Sequence, residues 1–281
     1  MKTGLVLEGG AQRGIYTAGV LDVFMEQGIS FDGVIGVSAG AIHGCSFVAK
    51  QHGRSIGYTL KYCRDKRYMS YYSLLTTGNI VGEKFCYHDI PQKLYPFDNE
   101  AFEKSKTKFY VTCSNLETGE AEYIHCEELR KKISYLRASA SMPFVSQICK
   151  INGKKYLDGG ICDSIPVQAF KKMGYDKCVS VHTRVAGYRK SKNKLSWLAG
   201  IIYHKYPKFA EAIKNRHIMY NRELEDIENM EKEGKVFIIR PSRLIKISHM
   251  EKDLSVLNTV YNMGRDDAIA NLEKLKKFLE K

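Results

Sequence analysis

A serine surrounded by small residues is the first candidate for chemistry. Ser38 is the centre of Gly36-Val37-Ser38-Ala39-Gly40, which has the pattern G-x-S-x-G. A tight strand-to-helix turn at such a serine exposes its Oγ, and small neighbours leave room for the strained turn and for a substrate carbonyl. These residue types favour acyl transfer through a nucleophilic serine, although the pentapeptide alone does not distinguish it from a structural serine.

A glycine-rich segment before the serine is the second candidate. Gly9-Gly10-Ala11-Gln12-Arg13-Gly14 follows an apolar run, and its backbone N–H groups would converge at the start of a helix, where they can hold an anion. A dinucleotide site would need an acidic residue at the end of the next strand, and the Ser38 elbow occupies that place. We interpret the segment as an oxyanion hole. A simple tight turn is the alternative for any single glycine.

A carboxylate is the third candidate. Asp158 ends an apolar run and precedes Gly159-Gly160, so backbone can pack closely around it. Asp-Gly is also a common turn dipeptide, which is the simpler interpretation of Asp158 taken alone. Histidines are weaker candidates for a catalytic base. His43 lies about 140° around its predicted helix from Ser38, and His182 follows a predicted strand.

Alternating strands and helices must position these residues. Apolar β-branched runs predict strands, and apolar residues three or four apart predict helices. Strands are predicted at residues 3–8, 32–37, 108–113, 121–125, 148–157 (a hairpin), 178–181 and 236–241, and helices at residues 15–27, 39–52, 54–67, 127–140 and 252–281. This alternation predicts an α/β fold with a mostly parallel central sheet and Ser38 at the carboxyl end of a strand.

Four motifs in this order resemble the patatin-like phospholipase family, over residues 4–182. The motifs are the loop 9–14, the elbow 36–40, Ala138-Ser139-Ala140-Ser141-Met142-Pro143 and Asp158-Gly159-Gly160. The resemblance implies a three-layer patatin-like fold and a Ser–Asp catalytic dyad, with Ser38 as the nucleophile and Asp158 as the base. It also implies an oxyanion loop that consists of Gly9, Gly10, Ala11, Arg13 and Gly14.

The chain departs from the family pattern at one position. Ala11 stands where the family usually has a third glycine. A methyl group is tolerated there if the φ angle of Ala11 is negative. The departure therefore bears on the shape of the loop rather than on activity.

The reaction that the resemblance implies is two-step acyl transfer. Ser38 attacks a fatty-acyl ester of a phospholipid or lysophospholipid, Asp158 accepts its proton, and water then releases the fatty acid without a metal or other cofactor. An aspartate is a weak base at its usual pKa of about 3.9, so burial must raise the pKa of Asp158. A catalytically silent lipid-binding or regulatory protein with the same pocket is the main alternative, and nucleotide binding at the loop 9–14 is a third.

The composition is that of a globular protein without a membrane span. Of 281 residues, 44% are hydrophobic and 27% are charged. No apolar run approaches the roughly 18 residues that span a bilayer. Eight scattered cysteines without a C-x-x-C pair favour reduced thiols over disulfides or a zinc site. The stretch before Glu8 is too short for a secretory signal, and we expect a cytoplasmic protein.

Positive charge is concentrated late in the chain. The net charge is +13, and residues 168–217 hold 12 basic and 2 acidic residues. We divide the chain into an acyl hydrolase domain at 1–182 and a basic, mainly helical C-terminal extension with one late strand at 183–281. The only tryptophan of this extension, Trp197, lies among lysines suited to an anionic membrane surface: Lys190, Lys192, Lys194, Lys205 and Lys208.

A packed helix with a solvated basic face is the alternative for this segment. No nucleic-acid-binding motif accompanies the charge, so we expect no nucleic-acid partner. The expected partners are a lipid ester as substrate and, peripherally, the inner membrane surface. The sequence does not indicate an oligomeric state.

Overall fold

A mixed sheet of eight strands forms the middle layer of the computed structural model, which describes residues 1–280. The strands are β1 (Thr3–Leu7), β2 (Gly33–Val37), β3 (Lys108–Asn115), β4 (Ala121–His125), β5 (Cys149–Ile151), β6 (Lys154–Asp158), β7 (Lys177–Val181) and β8 (Val236–Ile239). Their hydrogen-bonded order is β5-β6-β3-β2-β1-β7-β8, and β4 also pairs with β3. Strands β3, β2, β1, β7 and β8 run parallel, whereas β4, β5 and β6 form antiparallel pairs.

Helices cover both faces of this sheet. They are α1 (Ile15–Glu26), α2 (Ala39–Val48), α3 (Arg54–Tyr62), α4 (Tyr71–Thr77), α5 (Asn99–Glu103), α6 (Leu129–Ser139), α7 (Val167–Lys172), α8 (Ala199–Ile202), α9 (Pro207–Lys232) and α10 (Leu254–Glu280). Successive residues of a strand point to opposite faces. Leu5 and Leu7 therefore pack in the core with α1, α2, α6 and α10, whereas Val6 packs with α7 and α9. The predicted three-layer α/β fold is confirmed.

The direction in which the sheet grows reverses at β1. The chain first adds β2 and β3 on one side of β1 and later adds β7 and β8 on the other side. Open α/β sheets bind ligands at the carboxyl ends of the strands, next to such a reversal. Gly9, Ser38 and Thr183 follow β1, β2 and β7 closely, so the glycine-rich loop and the serine both lie at this point.

Most predicted elements are present, with different ends. The helix predicted at 39–52 ends at Val48, and the helix predicted at 54–67 ends at Tyr62. Residues 71–94 contain α4 and a π-helical segment, Phe85–Leu94, neither of which the pattern predicted. Residues 190–209 form a short 3₁₀ turn, α8 and the start of α9 rather than one helix, because a proline such as Pro207 begins a helix far more readily than it continues one.

The end of the chain packs against the main core. β8 pairs with β7, and α10 crosses α1 at Gly19 and Gly264. A Cβ atom at either glycine would overlap a backbone carbonyl oxygen of the other helix. The two helices can approach so closely because both positions lack a side chain. The C-terminal helix is confirmed over Leu254–Glu280, and Lys281, where we predicted its end, lies outside the described residues. The division of the chain at residue 183 stays a prediction.

Candidate active site

Ser38 occupies a strained turn between β2 and α2. Its φ and ψ angles are 53° and −122°, a conformation that costs a non-glycine residue of order 1–3 kcal/mol. The turn leaves no space for side chains on its glycines. A Cβ atom at Gly36 would lie 2.5 Å from the backbone N of Ala41, and one at Gly40 would overlap the carbonyl oxygen of Leu7. The strand, the turn and the helix thus have the arrangement that the G-x-S-x-G pattern predicts.

The register of the sheet brings Asp158 next to Ser38. β4 pairs with residues 110–114 of β3 and β6 pairs with residues 113–115, so β6 must use the other edge of β3. That edge is occupied up to Thr112 by β2, whose last residue, Val37, pairs with Thr112. β6 approaches from the opposite direction and ends with Asp158 opposite Cys113. The two strands therefore meet end to end, which places the Ser38 hydroxyl beside the Asp158 carboxylate, close enough to influence its pKa.

The segment 138–143 holds the two ends of these strands together. The hydroxyl oxygen of Ser139 accepts a hydrogen bond from the backbone N–H of Ser38 at 2.9 Å. The backbone N–H of Asp158 donates to the carbonyl oxygen of Ser141, also at 2.9 Å. The sequence pattern included this segment but gave it no role, because both contacts join residues that are distant in the chain.

Burial determines the chemical character of Asp158. Its side chain is buried, and burial raises the pKa of the carboxyl group above its ordinary value of 3.8. The charge of Arg216, the backbone N–H of Gly160 and the Ser38 hydroxyl oppose this rise. The Gly160 N–H donates to Oδ1 of Asp158 at 2.8 Å and fixes the orientation of the carboxylate. The pKa shift has the direction that we expected from the sequence.

The glycine-rich loop lies directly above the serine. A Cβ atom at Gly9 would be 3.0 Å from the Cβ of Ser38. Within residues 1–280, the backbone N–H groups of Gly9 and Gly10 donate to no other group of the chain, so they are free to bind an anion. Ala11 has a φ of 48°, in the left-handed region. We predicted that a methyl group is tolerated here at a negative φ, and the structure does not meet that condition. The alanine therefore carries strain of about 1–2 kcal/mol.

The other two residues of the loop face different neighbours. Gly14 packs against α2, since a Cβ atom there would be 2.7 Å from the Cβ of Ala39. The buried Nε atom of Arg13 has no hydrogen-bond partner among the described residues. Gly14 therefore permits close helix packing, whereas Arg13 presents a charge to the cavity described next.

Two cavities meet at Ser38. The larger has a volume of about 590 Å³ and a mainly apolar wall that includes Ile42, Tyr58, Ile133 and Leu136. The smaller cavity, called the polar cavity below, has a volume of about 290 Å³. Its wall contains charged side chains, namely Asp158, Arg13, Arg184, Lys190 and Arg216. Ser38, Ala11 and Met142 line both cavities, so they lie at the junction. Asp158 lines the polar cavity but not the apolar one.

The two histidines considered as catalytic bases are both buried and uncharged. His43 lines the apolar cavity, and its Nδ1 atom has no hydrogen-bond partner within residues 1–280. His182 hydrogen-bonds to the hydroxyl of Ser180 at 3.0 Å and lines neither cavity. Burial lowers the pKa of each ring to about 4. Residues 1–280 also contain no group of acidic, histidine or cysteine side chains that could hold a metal ion.

The lysines of the basic segment separate into two environments. Trp197 is 59% exposed, and four lysines around it are exposed as well: Lys192, Lys194, Lys205 and Lys208. Lys190 is only partly exposed, and its Nζ atom lies 4.8 Å from the centre of the Tyr220 ring, at the polar cavity. Sequence reasoning missed Arg184, Arg216 and His249 of this cavity. The only signal for the two arginines was the basic excess over residues 168–217, and His249, which lies outside that range, had none.

A serine at positive φ between a parallel strand and a helix, beside a buried carboxylate, is typical of the α/β serine hydrolases. Within that class the chain belongs to the patatin-like phospholipase family, because the family model described as "Patatin-like phospholipase" matches residues 5–171. A second family model, described as "Domain of unknown function (DUF6363)", matches residues 206–280.

Individual relatives resemble parts of the chain. The uncharacterized protein YjjU of Escherichia coli (strain K12) is 30% identical over 182 residues, which are 64% of this chain and 51% of YjjU. Lysophospholipase NTE1 of Phaeosphaeria nodorum is 30% identical over 186 residues, which cover 62% of this chain and 11% of NTE1. The crystal structure of VipD from Legionella pneumophila has a TM-score of 0.48 at 12% identity, covering 97% of this chain and 67% of VipD. The chain thus spans about half of YjjU and about a tenth of NTE1.

Proposed function

We propose that the chain is a serine acyl hydrolase that cleaves fatty-acyl esters of lysophospholipids or phospholipids. The observation that carries the proposal is the position of Ser38 at the junction of an apolar and a polar cavity. An ester at this junction would extend its acyl chain into the apolar cavity and its alcohol part into the polar one. Each buried methylene contributes about 0.8 kcal/mol, so the apolar cavity favours a long acyl chain.

The first chemical step forms an acyl-enzyme. Oγ of Ser38 bonds to the ester carbonyl carbon while its proton passes to the Asp158 carboxylate. The carbonyl oxygen becomes an oxyanion, and the free N–H groups of Gly9 and Gly10 donate hydrogen bonds to it. The bond from the carbonyl carbon to the alcohol oxygen then breaks, and Asp158 returns the proton to that oxygen. The position of Asp158 on the polar cavity supports this role, because the leaving alcohol lies on the same side.

The second step releases the fatty acid. A water molecule gives a proton to Asp158 and bonds to the acyl carbon, which again forms an oxyanion at the loop. The bond between the carbon and Oγ of Ser38 breaks, and the proton returns from Asp158 to the serine. Atoms and charges balance over the two steps, and the carboxylate ends in its starting state.

A fluorophosphonate probe tests whether Ser38 is a nucleophile. We expect the serine oxygen to displace fluoride from phosphorus, so that mass spectrometry finds the adduct on the peptide that contains Ser38 and on no other serine. A lysophospholipid should slow the labelling and should itself release fatty acid. A protein that binds the lipid without labelling or release would instead be the silent lipid-binding alternative. Labelling at a different serine would contradict the assignment of Ser38.

Peripheral contact with an anionic membrane is the second part of the proposal. The segment 195–202 exposes large apolar side chains next to the exposed lysines, namely Leu195 (57%), Trp197 (59%), Ile201 (61%) and Ile202 (52%). Ser191 and Asn193, a few residues earlier, line the polar cavity. A membrane bound by this segment would therefore lie close to the entrance for a lipid substrate. In residues 1–280 no helix is long and apolar enough to cross a membrane.

The fluorescence of Trp197 tests this contact. We expect a blue shift on adding anionic vesicles, because the indole enters an apolar environment, and no shift with neutral vesicles. Each lysine near an anionic surface contributes about 1 kcal/mol, and salt at about 0.15 M screens such charges beyond about 8 Å. Added salt should therefore weaken the shift, as should exchange of Lys192 and Lys194 for glutamine. An unchanged spectrum, with equal pelleting on both kinds of vesicle, would make the segment an ordinary solvated face.

A further inference from the structure

We infer that the polar cavity binds a phosphate group and makes the protein selective for lipids whose headgroup has a net negative charge. The preferred substrate class is an acylglycerol phosphate rather than a choline lipid. This inference rests on the proposed hydrolase function, and it assigns a substrate class to the cavity that contains Asp158.

Four cationic side chains from separate parts of the chain converge on this cavity. They come from the glycine-rich loop, from the segment after β7 and from α9: Arg13, Arg184, Lys190 and Arg216. His217 and His249 also line the wall. The acidic residues in the wall are Glu8 and Asp158. A cavity of about 290 Å³ thus collects at least four positive charges against at most two negative ones.

These positive charges have no ionic partners in the part of the chain that the structure describes. Within residues 1–280, none of the four side chains takes part in an ion pair. Nε of Arg216 donates to a backbone carbonyl, that of Gly160. The guanidinium of Arg184 lies 4.3 Å from the centre of the Tyr188 ring, and the buried Nε of Arg13 has no acceptor.

The two acids do not neutralise the cluster. Both carboxylate oxygens of Glu8 are already hydrogen-bonded: one accepts from Tyr220 Oη at 2.6 Å, and the other accepts from the backbone N–H and the hydroxyl of Thr183. Burial raises the pKa of Asp158, which disfavours its charged form. The cavity therefore keeps a net positive charge.

The cations repel one another across the cavity. Burial lowers the pKa of Lys190 to about 8, and the charges of Arg216, Arg184 and Arg13 act in the same direction, against Glu8. Burial and the neighbouring Arg184 also lower the pKa of Arg13. The pKa of His249 is also lowered, by partial desolvation of its ring against the cavity wall and by the same four cations. An anion in the cavity would relieve this repulsion, so the arrangement is suited to an anionic ligand.

Phosphate is the anion that fits this set of donors. Guanidinium groups donate two parallel hydrogen bonds to a phosphate, and a lysine adds a point charge. A quaternary ammonium group would need an open aromatic face or a free carboxylate. Here the Tyr220 ring is covered by Lys190, and its hydroxyl is bonded to Glu8. Since Asp158 must protonate the leaving glycerol oxygen in this cavity, a phosphate on the same glycerol would lie a few atoms away, among the cations.

Substrates with one acyl chain and different headgroups test the inference. We expect kcat/KM for 1-acylglycerol 3-phosphate to exceed that for the matching 1-acylglycerophosphocholine and monoacylglycerol by about tenfold or more, mostly through KM. In the double variant Arg184→Gln/Lys190→Gln this ratio should fall about tenfold. The double variant Arg222→Gln/Lys277→Gln removes the same charges from exposed positions outside the cavity and should keep the wild-type ratio.

Binding to the Ser38→Ala variant separates this inference from the proposed function. Calorimetry should detect glycerol 3-phosphate binding to this variant but no binding of glycerol, whether or not the wild type hydrolyses lipids. Equal hydrolysis of phosphate and choline lipids would overturn the inference and leave the hydrolase intact. Inorganic phosphate that binds as tightly as the acylglycerol phosphate would assign the cavity to free phosphate and overturn the headgroup selectivity. Folding of each variant is checked by its urea unfolding curve.

Discussion

Ser38→Ala is expected to reduce hydrolysis of a short p-nitrophenyl ester by about 10⁴-fold or more, because the acyl-enzyme cannot form without Oγ. The residual rate comes from binding and from the N–H groups of the loop 9–14, which the substitution leaves in place. The measurement is initial rate against substrate concentration for both proteins. Lipid profiling with the same pair should show accumulation of intact substrate and loss of free fatty acid.

The fold should survive this substitution. An alanine keeps the Cβ atom and the backbone of the turn, and the backbone N–H of residue 38 still donates to Ser139. Ser255→Ala, at an exposed serine near the start of α10, is the matched control and should keep wild-type activity. Activity retained by Ser38→Ala would refute the nucleophile assignment, and so would equal loss in both variants.

Asp158→Asn is expected to reduce activity by about 10³-fold or more, because an amide cannot accept the serine proton. The wild-type rate should rise with pH through the raised pKa of Asp158, above the ordinary value of 3.8, since the base acts in its deprotonated form. A pH–rate profile measures this limb. Asp176→Asn, at an exposed carboxylate between α7 and β7, is the control and should keep both the rate and the profile.

The Asp158→Asn variant should be more stable than the wild type at neutral pH. Because burial raises the pKa of Asp158, its carboxyl group stabilises the fold fully below the unfolded-state pKa of 3.8, where it is protonated in both states. That contribution is lost as the pH rises through the raised folded-state pKa. Asparagine has no proton to lose, so urea unfolding should show a difference in favour of Asp158→Asn that grows as the pH rises above about 4. A difference that shrinks over this range would contradict the assigned pKa shift.

A variant that loses activity and gains stability, as we expect of Asp158→Asn, would support the proposed catalytic role independently of sequence. Asp158 and the strained Ser38 both disfavour the folded state, the first through a buried carboxyl group and the second through its backbone angles. Function is the usual reason that such costs persist. A structural aspartate in a turn would stabilise the fold instead, which is the simpler interpretation that the stability measurement can reject.

The sequence by itself determined the local parts of the site. Short-range sterics require small residues at Gly36 and Gly40 if a strand is to turn sharply into a helix, so the G-x-S-x-G pattern predicts the elbow directly. The alternation of strands and helices predicted the mostly parallel central sheet for the same reason, because side-chain periodicity is a local property. The shape of the glycine-rich loop was less accessible. Ala11 has a positive φ, which its residue type does not reveal.

Only the tertiary structure decided which distant groups meet. Asp158 reaches Ser38 because β2 and β6 share one edge of β3, a register set by pairing among strands that are far apart in the chain. Lys190, which the composition grouped with Trp197, instead joins Arg13, Arg184 and Arg216 at the polar cavity. The number of charged residues in a stretch of sequence does not show which of their side chains face a cavity and which face solvent. α9 and the segment after β7 pack around the point at β1 where the direction of the sheet reverses. This packing makes part of the basic stretch a wall of the polar cavity, whereas the rest of the stretch is exposed.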